Sequence, residues 1–141
     1  MVDKLTPEER SINMSRIQSK DTAPEMIVRK LIFSKGYRYR LHRKDLPGKP
    51  DIVMPSKKKI VFVHGCFWHQ HSDPQCKIAR MPKTRTEYWI PKLKRNTERD
   101  IDHKKLLHSQ GWRVLVVWEC ETYDFEKLSS KLDRFLSDKS A

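Results

Sequence analysis

The sequence predicts an α/β fold in which a mixed central sheet is flanked by helices, and three observations support it. Two apolar runs rich in β-formers, Ile52–Met54 and 60–63, are separated by the polar segment 55–59, so they predict a hairpin. The stretch 112–118 is apolar except at Arg113, which is typical of a central strand. Segments with helical periodicity stand before and after these strands, so helices can cover the sheet.

Two helices are predicted before the first strand. Residues 6–9 form a capping box, and the helix 7–19 that follows has few apolar residues, so its composition alone indicates a solvated helix. Thr22 begins a second helix and Gly36 ends it, with an apolar face that suits packing on a sheet. Glu25 lies in the first turn, where the helix dipole favours a carboxylate. That structural role is sufficient, and a catalytic role is the alternative.

The remaining elements follow in order along the chain. Residues 37–42 alternate with period two and predict a strand, which precedes the hairpin. Residues 64–83 have little periodicity and predict a loop. Residues 86–110 predict a long helix, and because Pro91 conflicts with its first turn, a start near Pro91 is the alternative. After the strand 112–118, Asp124 is expected to cap a last amphipathic helix.

Length and charge limit the class of protein. The 141 residues, of which 37% are hydrophobic, suit one domain with a core of its own. The net charge of +12 favours a polyanionic partner, most commonly nucleic acid. A basic membrane-surface protein is the alternative, but no lipidation signal, signal peptide or membrane-spanning stretch supports it. We therefore expect an intracellular, cytoplasmic protein without a membrane partner, in which three cysteines are free thiols or metal ligands.

Every cysteine in the chain lies near one end of the predicted sheet, together with histidines. Cys66, His71 and Cys76 are spaced five residues apart, and Cys120 follows the last predicted strand. A Cys3His set is a common structural zinc site (Zn2+). A loop of about twenty residues without secondary structure needs such a site to fix its conformation. Three unrelated free thiols are the alternative, and His69 could replace His71 as the fourth ligand.

Another group of residues suits hydrolysis of a phosphodiester. Asp51 stands at the start of the first hairpin strand, and a divalent ion held by such a carboxylate neutralises charge on the attacking and leaving oxygens. His69 can take a proton from water if a carboxylate orients its ring, and Asp100 lies on the inward face of the long helix. The alternative is that Asp51 caps a turn and His69 is a surface histidine.

Aromatic residues form a third group. Phe67, Trp68 and Trp89 lie in or beside the loop, and apolar side chains inserted between base steps can wedge a duplex open. Packing against the sheet is the alternative, and it is stronger for Trp89. Trp112 and Trp118 are assigned to the core.

These segments together resemble one known family, the very-short-patch (Vsr) mismatch repair endonucleases. The similarity extends from about Asn13 to Cys120, in the same order, and includes several motifs rich in rare residues. The motifs are Pro50-Asp51, His64-Gly65-Cys66-Phe67-Trp68-His69, Thr84-Arg85-Thr86-Glu87-Tyr88-Trp89, Asn96 with Glu98-Arg99-Asp100, and Gly111-Trp112-Arg113-Val114-Leu115 with Trp118-Glu119-Cys120. The resemblance implies the restriction-endonuclease-like fold, with which the predicted order of helices and strands agrees.

The activity that the resemblance implies is a magnesium-dependent endonuclease. It would nick one strand 5′ of the thymine of a T:G mismatch, which arises when 5-methylcytosine deaminates. The positions where this fold commonly has a second acid and a lysine are taken by Phe62 and His64. Asp51 is therefore expected to hold Mg2+ with help from the carbonyl of Val63, and His64, His69 and Asp100 to complete the catalytic set.

The resemblance also implies contacts and partners. An N-terminal arm, about 1–20, would grip double-stranded DNA within a single domain, 1–141. The residues expected to contact DNA are Met14, Phe67, Trp68, Arg85, Trp89 and Asn96. A cytosine-5 DNA methyltransferase is the implied companion, mismatch-repair proteins are possible partners, and a monomer is expected. In the family pattern the second cysteine follows the histidine more closely than Cys76 follows His71, so the insert 72–75 is a departure.

Two other functions fit parts of the sequence. A restriction endonuclease of the same fold would cut both strands of intact duplex, and it would normally need a dimer and no wedges. A non-catalytic, zinc-stabilised DNA-binding protein would keep the basic charge but would not need Asp51 together with His69.

Overall fold

The computed structural model describes residues 22–81 and 83–138. The predicted helix 7–19, the arm 1–20 and Met14 lie outside the described residues. The helices are α1 (Ala23–Ser34), α2 (Thr86–Ser109) and α3 (Phe125–Ser137), and the strands are β1 (Arg40–Leu41), β2 (Ile52–Met54), β3 (Lys59–His64) and β4 (Arg113–Trp118). Two 3-10 turns, Pro55–Lys57 and Glu119–Tyr123, complete the described elements.

The four strands form one mixed sheet in the order β1-β2-β3-β4. The predicted hairpin is confirmed, because β2 pairs antiparallel with β3 and Ile52 lies opposite Val61. β4 pairs parallel with β3, from Lys59 opposite Arg113 to His64 opposite Trp118. The connection between these parallel strands contains α2, as a crossover requires. The predicted α/β fold with a mixed sheet and flanking helices is thus confirmed.

Alternation along β3 divides the core into two layers. Val61 packs with α1 and α3 on one face of the sheet, where Ile32 and Leu132 are fully buried. Ile60 and Phe62 point to the other face. There they pack against α2 and the residues that follow it, including Leu107 and Trp112, and Trp112 is in the core as predicted.

The helix starts predicted at Thr22 and Asp124 are confirmed by capping contacts. The Thr22 hydroxyl accepts a hydrogen bond from the Glu25 N–H at 3.3 Å, and the Asp124 carboxylate accepts one from the Lys127 N–H at 3.2 Å. Buried Lys59 closes the other end of α3, since its Nζ donates to the carbonyl oxygens of Leu136 and Asp138. None of the helices in the described ranges has the length and hydrophobicity that a membrane span requires.

The long helix predicted over 86–110 is confirmed as α2, and its alternative start near Pro91 is wrong, because a proline in an early turn removes a single backbone hydrogen bond. Two other local predictions are wrong. The strand 37–42 is reduced to Arg40–Leu41, because β2 offers only three residues for pairing and His42 adopts a positive φ of 49°. Trp118 is not a core residue but is half-buried at the end of β4.

Candidate active site and candidate metal centre

Asp51 lies beside the C-terminal end of β3, because it directly precedes β2 in the antiparallel hairpin. Its Oδ2 accepts a hydrogen bond from the Val63 N–H at 2.8 Å. Burial raises the pKa of Asp51 to about 7, and the hydrogen bond from Val63 opposes this shift. In an extended strand the N–H and C=O of one residue point to the same side, so the Val63 carbonyl faces this edge as well.

A second carboxylate, that of Glu25, lies next to Asp51. Glu25 is only 2% exposed, and its Oε2 is 3.2 Å from Nη1 of Arg29. Nε2 of His42 lies 3.0 Å from Oε1 and 2.9 Å from Oε2 of the same carboxylate. Potential ligand atoms of Glu25, His42 and Asp51 all lie within 4.8 Å of one another. Glu25 therefore lies beside Asp51 as a second acid, although the strand positions where this fold commonly has a second acid and a lysine are taken by Phe62 and His64.

His69 and Asp100 form a hydrogen-bonded pair near Val63, at the C-terminal end of β3. Nδ1 of His69 lies 2.6 Å from Oδ2 of Asp100, which projects from α2. The ring of His64 stacks on that of His69, with centroids 3.8 Å apart and planes 7° from parallel. Burial lowers the pKa of His64 to about 3, so this ring is neutral and its Nδ1 has no hydrogen-bond partner among the described residues.

Two clefts meet at this point of the molecule. The larger one, about 490 Å³, is lined by catalytic candidates and has an apolar floor from β3 and β4. Its lining includes Asp51, His64, His69 and Asp100, with Lys49 and Lys104. The smaller one, about 250 Å³, is lined by Trp68, Asn96 and the start of α1. Val63 and His69 line both clefts, so the candidate active site opens toward the aromatic residues of the loop.

The four predicted zinc ligands come together at the end of β4. Potential ligand atoms of Cys66, His71, Cys76 and Cys120 all lie within 4.8 Å of one another. Nδ1 of His71 is 3.8 Å from Sγ of Cys66 and 3.4 Å from Sγ of Cys120. His71, and not His69, is therefore the histidine beside the cysteines. Three thiols and one imidazole are a donor set that suits tetrahedral Zn2+.

The cluster lies in a partly buried space. Burial raises the pKa of the Cys66 and Cys120 thiols. The Cys120 N–H points at Sγ of Cys66, 3.4 Å away. The ring of Trp118 stacks on that of His71 at 4.3 Å, which explains why Trp118 lies outside the core.

The three predicted wedge residues form a single aromatic cluster. Ring centroids are 5.3 Å apart for Phe67 and Trp68, 5.3 Å for Phe67 and Trp89, and 5.9 Å for Trp68 and Trp89. All three side chains are half-buried, so Trp68 is neither a core residue nor freely exposed. Tyr88 extends the cluster, and Nζ of Lys92 lies 5.4 Å from the Trp68 ring centroid.

The other predicted DNA contacts, Arg85 and Asn96, lie beside the same cluster. Arg85 is exposed at the start of α2, and its guanidinium is 5.9 Å from the Tyr88 ring centroid. Asn96 donates a hydrogen bond from Nδ2 to the Trp68 carbonyl oxygen at 3.1 Å. Asn96 therefore supports the loop that carries Trp68 as well as facing the smaller cleft.

Sequence reasoning missed His42 and Tyr88, and it gave Glu25 a structural role. Glu25 and His42 are seventeen positions apart and lie on a helix and at a strand end, so no local pattern connects them. The proximity of Tyr88 to Trp89 in the sequence was the available indication for the aromatic cluster. A buried acid with a histidine partner becomes visible only when the helix is packed on the hairpin.

The sequence of the chain is similar to those of several known proteins. A family model described as DNA mismatch endonuclease Vsr matches residues 2–75. The type II nicking enzyme V.XorIIP of Xanthomonas oryzae pv. oryzae is 51% identical over 136 residues, covering 96% of this chain and 98% of that protein. The type II nicking enzyme V.NmeAIP of Neisseria meningitidis is 43% identical, covering 96% of this chain and 95% of that protein. The DNA mismatch endonuclease Vsr of Escherichia coli is 42% identical, covering 92% of this chain and 79% of that protein.

Proposed function

The chain belongs to the DNA mismatch endonuclease Vsr family and is a DNA-nicking endonuclease, and on that premise we propose that it cuts one strand 5′ of the thymine of a T:G mismatch. Such mismatches arise when 5-methylcytosine deaminates. The observation that carries the proposal is the arrangement around Val63, where Asp51 and the His69–Asp100 pair line one cleft and the buried carboxylate of Glu25 lies beside Asp51.

Asp51 and Glu25 are the residues that would hold the catalytic Mg2+. Carboxylate oxygens are the donors that this ion prefers, and it keeps several waters beside one or two carboxylates. When bound, the ion supplies neutralisation of charge on the attacking and leaving oxygens of the phosphodiester. The burial that raises the pKa of Asp51 fits this role, because a buried pair of acids gains most from a nearby cation. The carbonyl of Val63 faces the same edge and is a third candidate donor.

His69 would take the proton from the attacking water. Its Nδ1 is held by Asp100, so in the neutral ring Nδ1 carries the hydrogen and Nε2 is free to accept a proton. Asp100 then stabilises the imidazolium that forms. His64 is neutral and stacked on His69, so its role is to hold the ring of His69 in plane without adding positive charge.

The aromatic cluster of Phe67, Trp68 and Trp89 would insert beside the mismatch. Wedges cost least where base pairing is already faulty, which favours a mismatch over intact duplex. The smaller cleft joins Trp68 to His69, so a duplex opened by the cluster has its neighbouring phosphate within reach of the candidate active site. Arg85 and Lys92 beside the cluster add positive charge for the backbone.

Cys66, His71, Cys76 and Cys120 would hold a structural Zn2+. The segment 66–71 carries the aromatic pair Phe67 and Trp68 as well as His69, and it contains no helix or strand. Cys66 and His71, which stand at its two ends, would fix both the wedge and the general base relative to the sheet by sharing the ion. With four protein ligands the site would have a structural role and would support catalysis by position.

The wider biological assignments follow from the same proposal. The net charge of +12 suits a duplex DNA partner, and an N-terminal arm, 1–20, with Met14 would add to the grip within a single domain, 1–141. A monomer suffices to cut one strand. A cytosine-5 DNA methyltransferase is the expected companion and mismatch-repair proteins are expected partners, in the cytoplasm where the DNA lies.

One experiment tests the substrate and the reaction together. The protein is incubated with a labelled T:G duplex and its matched counterpart, with and without magnesium, and the products are separated on a denaturing gel. We expect a nick in the thymine strand of the T:G duplex only, and only with magnesium. Asp51→Ala should bind the T:G duplex with near wild-type affinity without nicking it. Double-strand cleavage of the matched duplex would identify a restriction endonuclease instead.

A further inference from the structure

His42 occupies a junction that the roles proposed above leave unused. It directly follows β1, and its backbone N–H donates a hydrogen bond to the carbonyl oxygen of Asp51 at 3.0 Å. Its side-chain Nε2 reaches both carboxylate oxygens of Glu25, at 3.0 and 2.9 Å. His42 therefore connects the main chain of Asp51 with the side chain of Glu25 through hydrogen bonds.

The backbone of His42 is held in an unfavourable conformation. Its φ of 49° lies in the left-handed region, which side chains other than those of asparagine, aspartate and histidine rarely adopt. Such residues persist where the surrounding structure fixes them, and they cluster at functional sites. Here the two contacts, to Asp51 and to Glu25, are the restraints that fix it.

The proton on the His42 ring determines what the contact does. An ionised carboxylate only accepts hydrogen bonds, so Nε2 of His42 must be the donor to Glu25. Glu25 is 2% exposed, and water has little access to replace that donor. Arg29 donates to Oε2 of Glu25, at 3.2 Å, so without His42 the contact at Oε1 is lost and the carboxylate is free to rotate away from Asp51, whose oxygen lies within 4.8 Å.

We propose that His42 is a positioning residue that fixes the Glu25 carboxylate beside that of Asp51, so that both acids hold the divalent ion of the nicking reaction. The inference rests on the proposed hydrolytic centre. His42 touches neither the ion nor the phosphate and acts through Glu25. Removing a partner that orients a metal ligand typically lowers metal affinity by about 10- to 100-fold.

The test uses the full chain and two readouts. The binding of Mn2+, as a paramagnetic probe, is followed by electron paramagnetic resonance without DNA, and Asp51→Ala defines the background from other sites. The magnesium concentration for half-maximal nicking of a T:G duplex is then measured. The disruptive variant is His42→Asn, which tolerates the positive φ but is too short to reach Glu25. His42→Gln restores a donor of greater reach, and His108→Asn, exposed near the end of α2, is the matched control.

We expect His42→Asn to raise two concentrations about 10- to 100-fold: that of Mn2+ for half-saturation of binding and that of magnesium for half-maximal nicking. Its affinity for the T:G duplex in magnesium-free buffer should stay at the wild-type level. His42→Gln should lie between His42→Asn and the wild type, and His108→Asn should match the wild type. His42→Gly, which has no side-chain donor and adopts a positive φ without strain, should repeat the result of His42→Asn if the latter folds poorly.

Three results would separate failure of the inference from failure of the proposed function. If Asp51→Ala is inactive and His42→Asn and His42→Gly keep wild-type metal affinities, the inference is wrong although the hydrolytic centre stands. A lowered melting temperature with unchanged half-saturating magnesium would also overturn the inference, because it shows a purely structural contact. If Asp51→Ala nicks and binds Mn2+ as the wild type does, the hydrolytic centre itself lies elsewhere.

Discussion

Nδ1 of His69 lies 2.6 Å from Oδ2 of Asp100, so a loop residue and a residue of α2 share one proton position. Asp100→Asn should therefore lower the nicking rate at saturating magnesium by about 100-fold or more, because an amide can present its N–H to Nδ1 and place the ring hydrogen on Nε2, the wrong nitrogen. Single-turnover nicking measures the rate, and binding to the T:G duplex should stay near wild type. Asp102→Asn, exposed on the same helix, is the control, and an equal loss in both variants would contradict the assignment.

Asp51 gives the metal-free protein a recognisable pH dependence of stability. Burial raises its pKa to about 7, above the ordinary value near 3.8, so the folded state binds the proton more tightly than the unfolded chain. This contribution to stability is complete at low pH and is lost as the pH rises through about 7. Asp51→Asn removes this pH dependence. Between about pH 5 and about pH 8 we expect the free energy of unfolding of the variant to rise by a few kcal/mol relative to that of the wild type.

Urea unfolding of both proteins at several pH values, in magnesium-free buffer, measures this difference. The neutral His64 has the opposite effect, since its lowered pKa makes stability rise with pH up to about 6.5, but it is common to both proteins and cancels. Magnesium added at the highest pH should stabilise the wild type and leave Asp51→Asn unchanged. If the difference in free energy of unfolding between the two proteins does not depend on pH, burial does not raise the pKa of Asp51.

Features that are determined by neighbouring residues could be predicted from the sequence more readily than contacts between residues far apart in the chain. The hairpin strands and the caps at Thr22 and Asp124 are encoded by neighbouring residues, so they could be predicted. The pairing of His69 with Asp100, thirty-one positions apart, was also accessible, because an acid on an apolar helix face needs a partner.

The Glu25–His42 contact was not accessible in the same way. The carboxylate has a sufficient local role at the helix start, and nothing in the strand pattern around His42 marks its ring as a partner. The contact exists because α1 packs across the hairpin at its active-site end.

Loss of one cluster ligand should reduce both zinc content and stability. We expect about one zinc per purified chain, and Cys120→Ser or His71→Ala should lower that ratio by more than half and lower the melting temperature, because metal binding contributes directly to folding. Elemental analysis and thermal unfolding check the two effects. His108→Ala, on the surface of α2, should change neither. Undamaged, active protein without zinc would rule out the assignment.

Trp68 and Trp112 should lose different properties when each is changed to alanine. Trp112 is 8% exposed in the core beside Leu107, and truncation of such a residue typically costs about 3–5 kcal/mol. Trp68 is half-buried and touches mainly Phe67 and Trp89, so its truncation should cost less stability. As a wedge it should instead lose about 1–3 kcal/mol of stacking with a base, which is a loss of preference for T:G over matched duplex.

Urea unfolding and competition binding of T:G and matched duplexes separate the two effects. Trp68→Phe, which keeps an aromatic ring, should recover part of the preference, whereas Trp112→Ala should keep the wild-type preference in whatever fraction stays folded. The half-buried position of Trp68 implies that the aromatic cluster must open when it inserts, so binding should also release its contacts with Phe67 and Trp89. A Trp68→Ala protein that discriminates T:G as the wild type does, but unfolds as readily as Trp112→Ala, would assign Trp68 to the core and remove it from the wedge.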